Sequence, residues 1–276
     1  MSHPIKSWIA ATIITLLLAS INVILIYSLL SAGRGLSFHI YAKDTIFKPQ
    51  VAKQKDISAQ RTFPGEEELD KRVRYRKFIQ GDPTQNKIAI TFDDGPHPAY
   101  TPKILKILRT YGVKATFFVV GQRAAQYPWL VKQEFDEGHT IGNHTYHHLD
   151  MTEIPSDEAQ EEITDCEKII FKITGKKPYL FRPPGGDYDK ESIDIANHLG
   201  YTVVLWTDNS GDSGNMGNTT VNIKRRVFGR ISNGGIILFH DGIKNTIDLL
   251  PQMLLSLKTM GYSFTTIDKM IKYKPR

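Results

Sequence analysis

The sequence contains one cysteine, which rules out a disulfide within the chain. Cys166 falls on a predicted helical stripe whose members are spaced alternately four and three residues apart: Ala159, Ile163, Cys166, Ile170 and Ile173. A cysteine on such a stripe packs as a small hydrophobic residue. We therefore assign Cys166 a place in the core and no chemistry.

Charged residues are absent from Trp8 to Ala32, a stretch rich in isoleucine, leucine, alanine and valine. About 20 helical residues span a bilayer, so this segment is long enough to do so. A cleavable signal peptide has a shorter apolar core, and Leu30-Ser31-Ala32-Gly33 is a poor cleavage site. We predict a transmembrane signal anchor at 8–32, a stalk or linker at 33–78, and one folded domain at 79–276.

Recognisable nucleic-acid motifs are also lacking, and the basic residues are scattered. The net charge of +6 nevertheless favours contact with anionic surfaces such as cell-wall polymers or membrane headgroups. The sequence therefore predicts no nucleic-acid partner.

The folded domain repeats one pattern, in which a helical segment is followed by glycine and then by a β-rich run. Seven candidate strands result: 88–92, 115–120, 139–141, 180–183, 201–206, 235–239 and 262–267. Alternating helices and strands predict a parallel sheet, either open and doubly wound or closed as a barrel. In parallel barrels the chemistry lies at the carboxyl ends of the strands.

Several chemically active residues follow candidate strands directly. Asp93 and Asp94 end one strand, His144 and His148 stand four residues apart after another, and His240 ends a third. One aspartate and two imidazoles form a three-ligand set for zinc or a similar ion, with a position left open for water. The second aspartate and His240 would then supply a base and an acid, as a metal-dependent hydrolase requires.

Four ordered motifs carry a resemblance to a known family. Thr91-Phe92-Asp93-Asp94, His144-Thr-Tyr-His-His148, Arg182-Pro-Pro-Gly-Gly186 and Leu238-Phe239-His240 resemble motifs of the polysaccharide deacetylases of carbohydrate esterase family four. The match covers roughly residues 86 to 270. It implies an α/β fold with a distorted (β/α)7 barrel, and removal of N-acetyl or O-acetyl groups from polymers such as peptidoglycan, chitin or xylan.

The resemblance also implies roles for individual residues. Asp94, His144 and His148 resemble the metal ligands of the family. His139 is then a bystander, whereas His147 would compete for the metal only after a register change of one residue. Zinc is the expected ion, with cobalt, nickel and manganese as alternatives.

The catalytic groups follow in the same way. Asp93 resembles the general base, Arg182 the residue that orients it, and His240 the general acid that protonates the leaving amine. The backbone N–H of Gly185 would help to hold the oxyanion. The resemblance also places Leu238 beside the acetyl methyl group, and we include Pro184 among the substrate-binding residues.

One motif departs from the family pattern. The family usually has Asp-x-x-Asp and an aromatic residue where this chain has Asp208-Asn-Ser-Gly-Asp212-Ser213. Asp212 aligns best with the acid that steadies Arg182, and Asp208 is the alternative. Ser213 and Gly185 both stand where the family has aromatic residues, which opens the groove.

We therefore expect a metal-dependent N-deacetylase of a cell-envelope glycan, with peptidoglycan as the first candidate. Chitooligosaccharides and acetylxylan are alternative substrates, and a non-catalytic wall-binding module or a cytoplasmic hydrolase of small amides are alternative functions. The predicted anchor would make the protein a single-pass membrane protein with its catalytic domain outside the cell, or a secreted protein if the anchor is cleaved.

Overall fold

The computed structural model describes residues 77–214 and 218–271. The strands in this part of the chain are β1 Lys77–Phe78, β2 Lys87–Gly95, β3 Thr116–Val119, β4 Thr140–Asn143, β5 Leu180–Phe181, β6 Thr202–Val204, β7 Asp208–Asn209, β8 Ile236–His240 and β9 Ser263–Thr265. The α-helices are α1 Thr101–Thr110, α2 Gly121–Gln126, α3 Pro128–Asp136, α4 Ser156–Thr174, α5 Lys190–His198, α6 Thr220–Arg230, α7 Lys244–Thr259 and α8 Ile267–Met270, and one 3₁₀ turn covers Pro184–Gly186.

The strands form one parallel sheet in the order β1-β6-β5-β4-β3-β2-β8-β7, with β9 pairing the first residues of β2. The predicted parallel α/β architecture is confirmed. Within the described residues, however, the edge strands β1 and β7 do not pair with each other, so the sheet is an open half-barrel. Both edge strands are two residues long and leave little backbone for closure.

All seven candidate strands are present, with boundaries shifted by a few residues. The strands β1 and β7 were not predicted from the sequence, because two-residue strands show no alternation of polar and apolar side chains. The first of them lies at the end of the predicted linker and pairs with β6.

Alternation along β2 places the site. Ile88, Ile90 and Phe92 face the helices and join the main core, where the Phe92 ring stacks on Phe117 at 5.2 Å. The alternate residues Thr91 and Asp93 point to the opposite, concave face, because successive strand residues face opposite sides of a sheet. Both are buried there.

The predicted helical stripe through Cys166 is confirmed, since Ala159, Ile163, Cys166 and Ile170 are all buried on α4. The Cys166 thiol is free and lies in the main core. No helix within the described residues is long and apolar enough to cross a membrane. The predicted anchor at 8–32 and the linker up to residue 76 lie outside the described residues.

Candidate metal centre and active site

A β-bulge at the end of β2 separates the two aspartates. Asp93 pairs with Phe118 of β3 and Gly95 with Val119, so Asp94 is an extra residue without a partner in that pairing. Asp94 takes a left-handed conformation with φ of 68°. Non-glycine residues rarely adopt this conformation, and such strain concentrates at functional sites. The bulge lets neighbouring carboxylates take different positions in the site.

Asp94 meets His144 and His148, as predicted. One ligand atom from each residue lies within 4.8 Å of the other two. Asp94 Oδ1 is 3.1 Å from His148 Nε2 and 3.5 Å from His144 Nε2. Two ligand atoms on a tetrahedral zinc ion are about 3.3 Å apart, given metal–ligand bonds of about 2.0–2.1 Å.

The donor set therefore fits a divalent ion such as zinc. Asp94 Oδ1 is buried and accepts no hydrogen bond from the described residues, although both imidazoles are close. Burial alone would raise the pKa of Asp94, but the neighbouring His144 and His148 imidazoles bring it well below its usual range. The carboxylate is thus ionised, as a metal ligand must be.

The backbone sets the tautomer of His144. Its Nδ1 lies 2.7 Å from the carbonyl oxygen of Arg182, which can only accept, so Nδ1 carries a proton and Nε2 is the nitrogen that would bind an ion once it is deprotonated. Metal-binding histidines are commonly oriented by such a contact from the other ring nitrogen.

Buried Glu162 of α4 organises the loop that carries both ligand histidines. Its carboxylate accepts the backbone N–H groups of Tyr146 and His147 at 3.0 and 2.7 Å. It also lies 2.6 Å from His147 Nδ1. His147 is therefore committed to Glu162 and is not among the clustered metal-binding residues. The other bystander, His139, accepts the backbone N–H of Ala115.

Arg182 is fully buried and pairs with Asp93, as the resemblance implied. Its Nη1 donates to Asp93 Oδ1 at 2.7 Å and to Thr91 Oγ1 at 2.9 Å. Thr91 and Asp93 lie on β2, three strands away from β5 in the sheet, so these contacts require the sheet to curve. The guanidinium also stacks over the Phe118 ring at 4.1 Å.

The expectation that Asp212 or Asp208 steadies Arg182 is wrong. The other donors of Arg182 go to the carbonyl oxygens of Val204 and Leu205. Asp208 Oδ2 instead accepts from Thr207, and burial raises the pKa of Asp208 to about 6. Backbone carbonyls thus supply the contacts that a second carboxylate was expected to make.

Asp212 is a hydrogen-bond partner of His240. Asp212 Oδ1 is 2.7 Å from His240 Nδ1, and Oδ2 accepts the His240 backbone N–H at 2.9 Å and the Thr246 hydroxyl at 2.5 Å. Burial alone would lower the pKa of His240, but the Asp212 carboxylate, with Asp93 and Asp94, raises it to about 9. The imidazole is therefore protonated at neutral pH in the absence of a cation.

The predicted substrate-binding residues lie in two places. Pro184 and Gly185 form the 3₁₀ turn just after Arg182, where Gly185 has φ of 67°. Leu238 of β8 is buried and pairs with Thr91. Ser213 places its hydroxyl 3.3 Å from His240 Nε2, on the ring edge opposite Asp212.

The roles of Thr91, Glu162 and Thr246 were not predicted from the sequence, although Thr91 begins the first of the four motifs. Only Glu162 gave a signal, since a charged residue falls between Ala159 and Ile163 on the apolar stripe of α4. A buried charge is costly without partners, so its position pointed to a structural role. The two threonines look like ordinary strand and helix residues.

Several known proteins are similar to this chain in sequence. A sequence model of the polysaccharide deacetylase family matches residues 80–204. A peptidoglycan-N-acetylglucosamine deacetylase of Bacillus cereus is 41% identical over 192 residues, which cover 68% of this chain and 89% of that protein. The peptidoglycan-N-acetylmuramic acid deacetylase PdaA of Bacillus subtilis is 34% identical over 206 residues, covering 72% of this chain and 76% of that protein.

Solved structures share the fold. The Bc1960 peptidoglycan N-acetylglucosamine deacetylase aligns with a TM-score of 0.69 at 33% identity, over 73% of this chain and 95% of that one. BA3943 of Bacillus anthracis, a pseudoenzyme of carbohydrate esterase family four, aligns with a TM-score of 0.67 at 27% identity, over 72% of this chain and 69% of that one. The chain belongs to the polysaccharide deacetylase family, carbohydrate esterase family four.

Proposed function

We propose that this protein is a metal-dependent hydrolase that removes N-acetyl groups from N-acetylglucosamine residues of peptidoglycan. One observation carries the proposal. The ligand set Asp94, His144 and His148 lies beside a carboxylate oriented by an arginine and an imidazolium oriented by a carboxylate. A general base, a general acid and an electrophile are the groups that amide hydrolysis needs.

Asp94, His144 and His148 would hold the ion. A divalent cation bound there lowers the pKa of a water molecule and polarises the acetamide carbonyl. The protein contributes a fixed tautomer at His144 and an ionised carboxylate at Asp94. Nitrogen and oxygen ligands of this kind suit zinc, with cobalt, nickel and manganese as alternatives.

Asp93 would accept a proton from the attacking water. Its Oδ1 is occupied by Arg182, which leaves Oδ2 for the proton, and Oδ2 lies 3.8 Å from His144 Nε2. Arg182 fixes the carboxylate because four acceptors bind its guanidinium. A rigidly held base loses less entropy in reaching the reacting geometry.

His240 would donate a proton from Nε2 to the leaving nitrogen. An amine leaves poorly unless it is protonated, so an acid is required at this step. Asp212 holds Nδ1, which fixes the direction of Nε2 and keeps the ring charged. Leu238, Pro184 and Gly185 would line the acetyl end of the substrate, with the Gly185 N–H directed to the oxyanion.

Two relatives named for peptidoglycan support the choice of polymer, one named for N-acetylglucosamine and one for N-acetylmuramic acid. We commit to N-acetylglucosamine because the Bacillus cereus relative and the Bc1960 structure both bear that name. Deacetylation leaves an amine that is protonated at neutral pH and makes the polymer more positive.

Acetate release tests the proposal directly. The purified protein would be incubated with peptidoglycan, chitooligosaccharides and acetylxylan, with and without added zinc or cobalt. We expect metal-dependent release that is fastest from peptidoglycan. Acetate release from chitooligosaccharides alone would support the proposed deacetylation but contradict peptidoglycan as the substrate.

A non-catalytic wall-binding module is the second candidate, favoured by the structural likeness to a pseudoenzyme whose mutant has restored activity. The intact base, acid and ligand residues argue against it here. Wall binding without acetate release from any of the three polymers, in a metal-loaded sample, would decide for the binding module.

We further propose that the segment 8–32 tethers the protein in the cell membrane, with the deacetylase domain outside. The uncharged apolar sequence of that segment supports the tether. The outward placement of the domain rests on the peptidoglycan substrate proposed above. Fractionation of cells, combined with protease treatment of intact protoplasts, tests it. Recovery of the full-length protein in the cytosolic fraction would contradict it.

A further inference from the structure

The bulge at Asp94 lies between two backbone carbonyls that have main-chain donors. The carbonyl of Asp93 accepts the N–H of Asp241 at 2.8 Å, and the carbonyl of Gly95 accepts the N–H of Val120 at 2.9 Å. Asp94 lies between them and is skipped in the pairing of β2 with β3. The Asp94 carbonyl lies in an exposed contact, where it can accept a donor from a side chain or from water.

Arg123 supplies that donor. Its guanidinium Nη1 donates to the backbone oxygen of Asp94 from the first turn of α2. A charged donor makes a stronger hydrogen bond than a neutral one. The bulged residue is therefore held from outside the sheet by a side chain.

The first turn of α2 is also tied to the loop that carries the two ligand histidines. The N–H of Gly121 donates to the carbonyl of Thr145, and that of Gln122 to the carbonyl of Tyr146, both at 2.9 Å. Thr145 and His148 in this loop share the left-handed conformation of Asp94, with φ of 62° and 65°. One short segment thus contacts both parts of the proposed metal site.

We propose that Arg123 is a positioning residue for the metal site, which holds the strained Asp94 backbone in register with the loop of His144 and His148. The inference rests on the proposed function, because it concerns the same ligands. Arg123 does not belong to the ligand set. Its positive charge works against a nearby cation, so its benefit must come from geometry.

Zinc affinity and backbone protection test this role together. Isothermal titration with zinc alone would compare the wild type with Arg123→Ala, Arg123→Lys and two controls. Gln126→Ala removes an exposed side chain from the same helix, and Arg109→Ala removes an exposed arginine that pairs with Glu137 on another surface. Loss of an outer contact to a metal ligand commonly weakens binding 10- to 100-fold.

We expect Arg123→Ala to weaken zinc binding by at least about 10-fold, Arg123→Lys to recover part of the loss, and both controls to match the wild type. In the metal-free protein, amide exchange at Val120 should accelerate in Arg123→Ala, because this N–H binds the carbonyl next to the bulge. Exchange at buried Ile90 should stay unchanged, which shows that the variant is folded.

Three results would overturn the inference. Unchanged zinc affinity in Arg123→Ala removes the positioning role, and a raised KM in that variant would then indicate a substrate contact. Tighter zinc binding would show that charge repulsion outweighs geometry. If the wild type binds none of zinc, cobalt, nickel and manganese, both this inference and the proposed function fail, whereas wild-type binding that Arg123→Ala leaves unchanged overturns only the inference.

Discussion

Asp212 binds His240 through both of its oxygens, at 2.7 Å to the ring Nδ1 and 2.9 Å to the backbone N–H. The Asp212 carboxylate therefore accepts hydrogen bonds from the candidate acid, His240. Arg182 donates from Nη1 to Oδ1 of the candidate base, Asp93, at 2.7 Å. The site thus contains two separate pairs, and each orients one proton-transfer group from its non-reacting side.

The first prediction concerns the charge of His240. Its pKa is raised to about 9, and removal of the Asp212 charge should lower it. NMR titration of the metal-free protein should give a His240 pKa near that value in the wild type and a markedly lower one in Asp212→Asn. A bound cation repels the imidazolium, so activity should begin to fall at a pH below the metal-free pKa. Equal His240 pKa values in the two proteins would contradict the pairing.

The same shift affects stability with a defined sign. The pKa of His240 is higher in the folded protein than its usual 6.5, so protonation favours the folded state. This contribution is complete below pH 6.5 and is lost as the pH rises through about 9. Asp212→Asn should remove that part of the pH dependence of the unfolding free energy in the metal-free protein.

The second prediction concerns the base. Asp93→Asn should keep zinc and lose about 10²–10⁴ in kcat, because an amide cannot accept the proton. Asp208→Asn is the matched control, since Asp208 is equally buried and contacts neither Arg182 nor the ligands. In a steady-state assay, Asp208→Asn should release acetate at a rate near that of the wild type. A large loss in the control would restore Asp208 as a functional partner.

The third prediction separates the two adjacent histidines. His148→Ala should weaken zinc binding by more than about 10-fold, on the order of what loss of a ligand or its support costs. His147→Ala should keep the zinc, because His147 lies against Glu162. Competition with a chromogenic chelator measures both affinities. The reverse order would mean that the loop is shifted by one residue.

The fourth prediction concerns the turn that follows Arg182. A Cβ at Gly186 would lie 2.3 Å from the Trp206 ring, with φ of 75°. Gly200 has φ of 90° and nothing within 4 Å of such an atom. Gly200→Ala should therefore cost about 1–2 kcal/mol from its backbone conformation alone. Gly186→Ala should cost about 1–3 kcal/mol more from the clash.

Urea denaturation of the two glycine variants measures this difference. Trp206 also lies beside the Arg182 guanidinium, at 5.5 Å, so Gly186→Ala should reduce activity as well. Equal unfolding free energies for the two variants would mean that Trp206 moves aside without cost.

The positions of the predicted strands were sufficient to bring the candidate site residues to one edge of the sheet, and the family resemblance supplied the pairing of Arg182 with Asp93. Asp93, Asp94, His144 and His240 each follow a predicted strand, and Arg182 lies near the end of one. Parallel strands bring their carboxyl ends to one edge. The pairing of Asp212 was not predictable from spacing. It depends on the path of the chain after β7, which brings Asp212 to β8 and not to Arg182.

The bulge at Asp94 and the open edges of the sheet could not be predicted from the sequence either. A bulge is a matter of register between two strands, and β2 alone gives no sign of its partner's register. Arg123 gives no signal for the same reason, because its acceptor is a backbone oxygen 29 residues earlier.

The central claim is metal-dependent N-deacetylation of peptidoglycan, and mass analysis of muropeptides tests it most directly. Peptidoglycan would be treated with the zinc-loaded protein or with Asp93→Asn, digested, and the fragments sequenced by tandem mass spectrometry. We predict loss of acetyl groups from glucosamine residues with the wild type and intact acetylation with Asp93→Asn. Fully acetylated fragments after treatment with the zinc-loaded wild type would contradict the account.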